Sequence, residues 1–343
     1  MISGKEKILQ CCRQALERRT ALREKHAVCR LFDGTGDGVP QLFIDRYGAL
    51  ALAHLLPAPS DSVATFSEAL RGALRESREK LEREWGVGSF YLRIHPHDPR
   101  EHRSQEAELV WGEPQSEVIV TEGPCRFIVR PQRSVNAGLY ADTRGIREYL
   151  AAHSLGKRVL NLFCFSGSLG IAAAVGGAAE IAQIDSSPDA LEWAKANWQL
   201  NQGERVCVMR HICDDCRHFL DREGARVAAG GKRTAIAVID PPSFGRGRKR
   251  TFSLKRDVGE IVEKVMRILE PEGEIILTSN TRELTPARLE SAARSSTLAA
   301  SWPIVRVEAL LPPAEDFFST GHDSIAMRGV RIIGAGAPRF ACR

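Results

Sequence analysis

No stretch of the 343-residue chain approaches the roughly 20 consecutive apolar residues that a bilayer-spanning helix needs. Charges recur every few positions through the first 30 residues, so no signal-peptide core lies there either. A cytoplasmic protein without membrane contact is expected. Nine cysteines, an odd number, are scattered as Cys11, Cys12, Cys29, Cys125, Cys164, Cys207, Cys213, Cys216 and Cys342, which is not a secreted disulfide framework. Reduced thiols follow. Cys213 and Cys216 have zinc-like spacing, but no second pair lies at a suitable distance, and no metal is expected. Internal repeats and low-complexity segments are also missing.

What is present fits a globular protein of two domains: 43% of residues are hydrophobic and 27% charged. The net charge is only +5, yet its distribution is uneven. Within residues 1–30, Lys5, Lys7, Arg13, Arg18, Arg19, Arg23, Lys25 and Arg30 face only Glu6, Glu17 and Glu24. A second basic group comprises Arg246, Arg248, Lys249, Arg250, Lys255 and Arg256. Such clusters read either as a footprint for a polyanion or as solvated surface.

Residues 5–27 lack Gly and Pro and favour a charged helix, so 1–27 forms a basic N-terminal helix. Turn signals at Asp33-Gly34, Asp37-Gly38 and Tyr47-Gly48 flank short apolar runs at 28–32, 41–45 and 50–56, as antiparallel strands do. A helix over 62–85, a strand over 89–94 and a hairpin over 117–129 complete a small α+β domain, strand-strand-helix-strand-strand, over 28–132. From 133 to 343 strands alternate with helices. The strands fall at 158–163, 180–184, 206–211, 235–239 and 273–279, the helices at 168–176, 188–201, 216–223 and 253–269. This alternation predicts an α/β fold with a doubly wound, Rossmann-like parallel sheet, whose ligands bind at the carboxyl ends of the strands.

Four strand ends carry chemistry. The first, Asn161-Leu162-Phe163-Cys164-Phe165-Ser166-Gly167, brings a glycine turn into a helix where a ligand could meet the backbone. The dinucleotide fingerprint G-x-G-x-x-G is absent, since only Gly167 and Gly170 are present, which disfavours a nicotinamide enzyme. Asp185, at the second strand end with Ser186 beside it, is placed to accept from two ribose hydroxyls. Asp215, with Cys216, could accept from an adenine amino group. Asp240-Pro241-Pro242-Ser243-Phe244 supplies a stiff loop whose aromatic could stack on a base. Each has a plainer reading, Asp185 and Asp215 as helix caps and Asp240 to Pro242 as a turn. Together they suit a ligand with ribose and adenine but no pyrophosphate, which S-adenosylmethionine is.

At these residues the chain resembles class I S-adenosylmethionine-dependent methyltransferases, and within them the bacterial 23S ribosomal RNA enzymes of the 5-methylcytosine and 7-methylguanine group. Gly138 to Arg144 and Gly36 to Gly48 are similar to that family's segments ahead of the first strand and in the smaller domain. The resemblance implies that Asn161, Phe163, Ser166 and Gly167 hold the methionine portion, with Asp142 and Arg144 over its amino and carboxylate groups. Asp185 and Ser186 would take the ribose, and Asp215 and Cys216 the adenine. Asp240, shared with the cofactor, would act with Pro241, Pro242, Phe244 and Asn280 on the target base. Arg246, Arg248, Lys249 and Arg250 would bind RNA, and the small domain would assist.

The two branches differ in chemistry. Cytosine C5 becomes nucleophilic only after a thiolate adds at C6. Asn280 stands where that cysteine aligns, so the chain is nearer the 7-methylguanine branch. The alternatives are 5-methylcytosine formation by another cysteine, or an RNA-binding ribosome-assembly factor that retains the fold without catalysis. The implied partner is 23S rRNA or an assembling large subunit, with oligomeric state open. His95, His97 and His102 read as a solvated loop or an RNA contact, and Cys164 as a packing residue. Asp316 to Asp323 either covers the target base or turns the chain.

Overall fold

The computed structural model describes residues 4–56, 63–96, 106–132, 137–203, 206–242, 244–246, 251–281, 284–300, 302–319 and 326–335. They form two compact units, Met1–Asp142 with Pro313–Ser324, and Thr143–Pro312 with Ile325–Arg343.

The first unit contains α1 (Gly4–Arg18), α2 (Leu22–Lys25), β1 (Val28–Asp33), β2 (Leu42–Tyr47), β3 (Leu50–Leu55), α3 (Val63–Glu76), α4 (Arg78–Trp85), β4 (Ser89–Ile94), β5 (Glu108–Gly112), β6 (Val118–Glu122) and β7 (Cys125–Val129). Five strands make one sheet in the order β1-β2-β3-β4-β5, and β6 pairs with β7 as a separate hairpin. The β3–β4 pair is parallel, which requires the α3–α4 crossover between them. The single helix expected over 62–85 breaks at Ser77, whose hydroxyl donates back to the Ala73 carbonyl at 2.9 Å. The edge strand β5 was not expected, because its sequence carries no clear alternation.

Helix α1 is part of this unit and not a segment apart. Ile8, Leu9, Cys12, Ala15 and Leu16 recur at helical spacing and bury one face in the core with Leu31, Phe32 and Leu74. Most of the basic charge of residues 1–30 is also paired within the unit, partly in buried pairs and partly at the surface. Lys5 pairs with Glu76, Arg18 and Arg19 with Asp37, Arg23 with Glu24, Lys25 with Glu315, and Arg30 with Asp33 and Asp45. Six of the eight basic residues that suggested a polyanion footprint therefore have an acidic partner within this unit.

The same pairs hold residues 313–319. Fully buried Arg19 forks onto Asp37 at 2.6 and 3.1 Å and also donates to the Asp316 carbonyl at 2.9 Å. The Arg30 amide donates to the Asp316 carboxylate at 2.9 Å, while the Arg30 guanidinium binds Asp45 at 2.6 Å. The Ser319 amide donates to Asp33 at 2.6 Å, and the Arg18 guanidinium lies 3.9 Å from the centre of the Phe318 ring. Of the two readings of this segment, its described part, 313–319, is anchored on the small unit; His322 and Asp323 lie outside the described residues.

The second unit contains α5 (Arg144–His153), β8 (Arg158–Leu162), α6 (Ser168–Val175), β9 (Glu180–Asp185), α7 (Pro188–Asn201), β10 (Val208–Cys213), α8 (Cys216–Ala228), β11 (Thr234–Ile239), β12 (Phe244–Arg246), β13 (Thr251–Ser253), α9 (Leu254–Ile268), β14 (Leu269–Ser279), α10 (Pro286–Ala300), β15 (Ile304–Leu310) and β16 (Arg328–Gly334). The sheet order is β10-β9-β8-β11-β14-β16-β15. The first five are parallel to their neighbours; β16 runs antiparallel to β14, and β15 to β16. Central strands such as β11 are buried along their whole length, whereas β10 and β15 at the two edges are not. Strand order reverses between β8 and β11, so the crevice beyond their carboxyl ends is the favoured ligand position.

Gly36 offers a direct check on the anchoring of 313–319. A Cβ there would lie 2.6 Å from the backbone of Phe318 and Ser319. Gly36→Ala should lower stability by about 1–3 kcal/mol in urea denaturation. By contrast Gly145→Ala, in helix α5 with open space around it, should be neutral or raise stability by about 0.4–1 kcal/mol.

Candidate active site

Strand β9 organises the site. Side chains two apart on a strand share a face, and on one face of β9 these are Gln183 and Asp185. The Gln183 amide, fully buried, accepts from Asn161 Nδ2 at 2.7 Å and donates to the Gly167 carbonyl at 3.0 Å. Asp185 accepts from the Phe165 amide at 3.0 Å and from the Ser187 amide at 2.9 Å. Between them they grip the loop that follows β8.

That loop is bent accordingly. Phe163 and Phe165 take φ of 58° and 47°, a region side chains other than Gly and Asn rarely adopt. Strain of this kind, about 1–3 kcal/mol per residue, persists only where the surroundings impose it and concentrates at ligand sites. A Cβ on Gly167 or Gly170 would lie 2.7 Å from Gln183. The two glycines are thus required by the buried glutamine beneath them. The loop is closed further by Asn197, whose amide donates to the Ser166 carbonyl at 2.9 Å, and by Trp193, edge-on to Phe165 at 5.5 Å.

The acidic residues separate into different environments. Burial raises the Asp185 carboxyl above the usual range, and the backbone amides of Ser187, Phe165 and Ser186 only partly offset this. The cap of α7 is Ser187, which accepts from the Ala190 amide at 3.3 Å, so the simple cap reading of Asp185 fails. Asp215 does cap its helix: it accepts from the Arg217 amide at 2.9 Å and from the Arg217 guanidinium at 3.3 Å. Burial would raise its pKa, but these bonds to Arg217 win and lower it. Capping uses some of its acceptor capacity; an ionised carboxylate has about four lone-pair sites, which leaves room for a ligand donor.

Asp240 directly follows β11 and is held from the neighbouring strand. The hydroxyl of buried Thr278 on β14 lies 2.5 Å from Asp240 Oδ1. At the next step the Ser279 hydroxyl accepts from the Thr281 amide at 3.1 Å, a short turn that leaves Asn280 exposed just past the strand end. Pro241 is buried and Pro242 exposed. Phe244 and Arg246 lie on β12, while Arg248, Lys249 and Arg250 fall outside the described residues.

The structure therefore assembles Asn161, Phe163, Ser166, Gly167, Asp185, Ser186, Asp215, Cys216, Asp240 and Asn280 in the second unit, on or just after the carboxyl ends of β8, β9, β10, β11 and β14. Asp142 ends the first unit in a short turn, and buried Arg144 begins α5 in the second. Sequence reasoning missed Gln183, Asn197 and Thr278. A glutamine inside the apolar run of β9 was the available signal for the first. Among the described residues no group of three His, Cys, Asp or Glu could hold a metal.

The crevice fits S-adenosylmethionine chemically. Asn161 Oδ1 is buried with no hydrogen-bond partner among the described residues, an acceptor suited to an ammonium group. Partly exposed Asp185 retains lone pairs for vicinal hydroxyls. A family described as S-adenosylmethionine-dependent methyltransferase matches residues 30–316. A ribosomal RNA large subunit methyltransferase K/L of Allochromatium vinosum is 37% identical over 165 residues, 48% of this chain and 22% of that protein. Its namesake in a Shewanella species is 28% identical over 74% of this chain and 34% of that protein. The chain thus spans well under half the length of these relatives. The solved structure of SMU.776 complexed with SAH superposes with a TM-score of 0.78 at 20% identity, covering 95% of this chain and 80% of that one. A SAM-dependent methyltransferase from Agrobacterium tumefaciens gives 0.63 at 18% identity, covering 89% of each. With the match running through both units and the strand-end residues in place, the chain belongs to the S-adenosylmethionine-dependent methyltransferase family.

Proposed function

We propose that the protein methylates a purine ring nitrogen of 23S ribosomal RNA, with 7-methylguanine the favoured product. The observation that carries this reading is Asn280 at the open end of β14, beside the Asp240 loop, where the alternative chemistry would need a thiolate. The K/L relatives support a large-subunit rRNA substrate. Asn161 and the 163–167 loop would bind the methionine portion, Asp185 the ribose hydroxyls and Asp215 the adenine amino group. S-adenosylmethionine supplies a methyl already activated by a sulfonium, so catalysis rests on approach and exclusion of water. Asp240, Pro241, Pro242 and Asn280 would orient the edge of a flipped base, with Phe244 stacked on it. Arg246, Arg248, Lys249 and Arg250, helped by the small unit, would bind the RNA backbone.

The 5-methylcytosine alternative through another cysteine meets a physical obstacle. Burial pushes the thiols of Cys164 and Cys216 well up, and neighbouring Asp185 pushes both further, so each stays protonated at neutral pH. A protonated thiol does not add to cytosine.

Nucleoside mass spectrometry of 23S rRNA from a strain lacking the protein should show loss of one methylated purine and no loss of 5-methylcytosine. RNA carrying 5-fluorocytosine should form no covalent adduct; a stable adduct abolished by one cysteine substitution would overturn the nitrogen assignment. Asp185→Ala should weaken S-adenosylmethionine binding by roughly 1.5–3 kcal/mol in calorimetry, the usual worth of hydrogen bonds to a charged group. At pH 7 iodoacetamide should modify exposed Cys213 and spare Cys164 and Cys216, read by peptide mass spectrometry.

A further inference from the structure

We infer that Thr278 is a positioning residue for methyl transfer, acting through Asp240. The inference rests on the reading of Asp240 as a base-orienting group.

The geometry is specific. Leu277 pairs with Ile239 across β14 and β11, so Thr278 sits one residue further on, level with Asp240 where β11 has just ended. Its side chain is fully buried, and its hydroxyl is 2.5 Å from Asp240 Oδ1 and 3.3 Å from the Ile239 carbonyl. One hydroxyl proton serves one acceptor well, and the shorter, charge-assisted bond to the carboxylate prevails. On the other side Thr278 pairs with Gly329 of β16. A Cβ at Gly329 would lie 2.5 Å from the Leu277 carbonyl and 3.2 Å from the Thr278 methyl, so β16 packs closely against this stretch of β14.

A strand interior needs only a β-branched apolar side chain at such a position, and valine has the same shape. What the hydroxyl adds over valine is a bond to one oxygen of the carboxylate that follows β11, just ahead of two prolines. This bond restrains rotation of the Asp240 carboxylate about its side-chain torsions. Orientation of this kind affects turnover more than ground-state affinity.

The test compares Thr278→Val, Thr278→Ser and Asp240→Asn in the full chain, with labelled S-adenosylmethionine and unmodified 23S rRNA transcript as probes. Melting curves and calorimetric binding of S-adenosylhomocysteine report folding and cofactor binding separately. Thr278→Val should lower kcat on the order of 10- to 100-fold while the KM for RNA changes less than threefold, as loss of a hydrogen bond to a charged group predicts. Thr278→Ser, which keeps the hydroxyl, should recover most of that loss. Wild-type kcat in Thr278→Val would overturn the inference, and so would a Thr278→Ser variant as slow as Thr278→Val, since the methyl and not the hydroxyl would then matter. Should Asp240→Asn turn over at the wild-type rate, the reading of Asp240 itself falls, and the inference with it. A slow Asp240→Asn beside a normal Thr278→Val removes Thr278 alone.

Discussion

A buried amide needs partners, and in this protein that requirement shapes the cofactor side of the crevice. Gln183 stands fully buried in β9, next to Ala182 and Ile184, where its amide must find partners within the protein. It finds Asn161 on the adjacent strand and the Gly167 carbonyl at the start of α6. An unpaired amide in such a place would cost on the order of 1–3 kcal/mol. Meeting both partners pulls the loop after β8 down onto β9, leaves no space for a side chain at positions 167 and 170, and drives Phe163 and Phe165 to positive φ. Asp185, two residues along the same face, then receives the Phe165 amide. The residue proposed to take the ribose is thus also one of the two that hold the loop.

The small unit depends on a different constraint, the pairing of buried charges. Arg19 pairs with Asp37, and Arg30 with Asp33 and Asp45, while the Asp316 carbonyl accepts from Arg19 and its carboxylate from the Arg30 backbone amide; every one of these residues is more than nine-tenths buried. Breaking one such pair typically costs 3–5 kcal/mol because a charge is left behind without a partner. The network joins residues near the start of the chain to residues beyond 312, so the small unit is completed only by a segment that leaves the larger sheet between β15 and β16.

Local signals explain what the sequence revealed and what it hid. Parallel strands buried on both faces read as short apolar runs, and helices follow each one, so the Rossmann-like alternation and its strand ends were legible from residues 158 to 279. The edge strand β5 was not, because Glu108 to Gly112 mixes polar and apolar residues without a period, and β15 was missed although Val305 to Ala309 alternates apolar and charged residues. The charges of the N-terminal helix misled for a related reason. Arg19 looks like surface until Asp37 and the Asp316 carbonyl are placed against it, and nothing near Arg19 in the chain announces a partner 297 residues away. Thr278 was hidden too: a threonine in a strand reads as propensity, and its hydroxyl acquires meaning only when the neighbouring strand ends beside it.

The arrangement at the ends of β11 and β14 bears on which atom can be methylated. Carbon methylation of cytosine demands a nucleophile with a pKa near or below neutrality, which in proteins means an electropositive, partly exposed thiol. The two buried thiols among the strand-end residues have the opposite surroundings, apolar burial and a nearby carboxylate, and these raise their pKa. Strand β14 and the turn after it instead carry Thr278, bonded to Asp240, Ser279, bonded to Thr281, and the amide of Asn280 between them. Groups of this kind neither add to a base nor ionise; in the proposed reading their part would be to hold a base edge still. A purine nitrogen with its own lone pair needs only to be held in line with the methyl group. The proposed nitrogen methylation asks only for such orientation, whereas activation of a carbon would need a thiolate that the described residues at the ends of β11 and β14 do not supply.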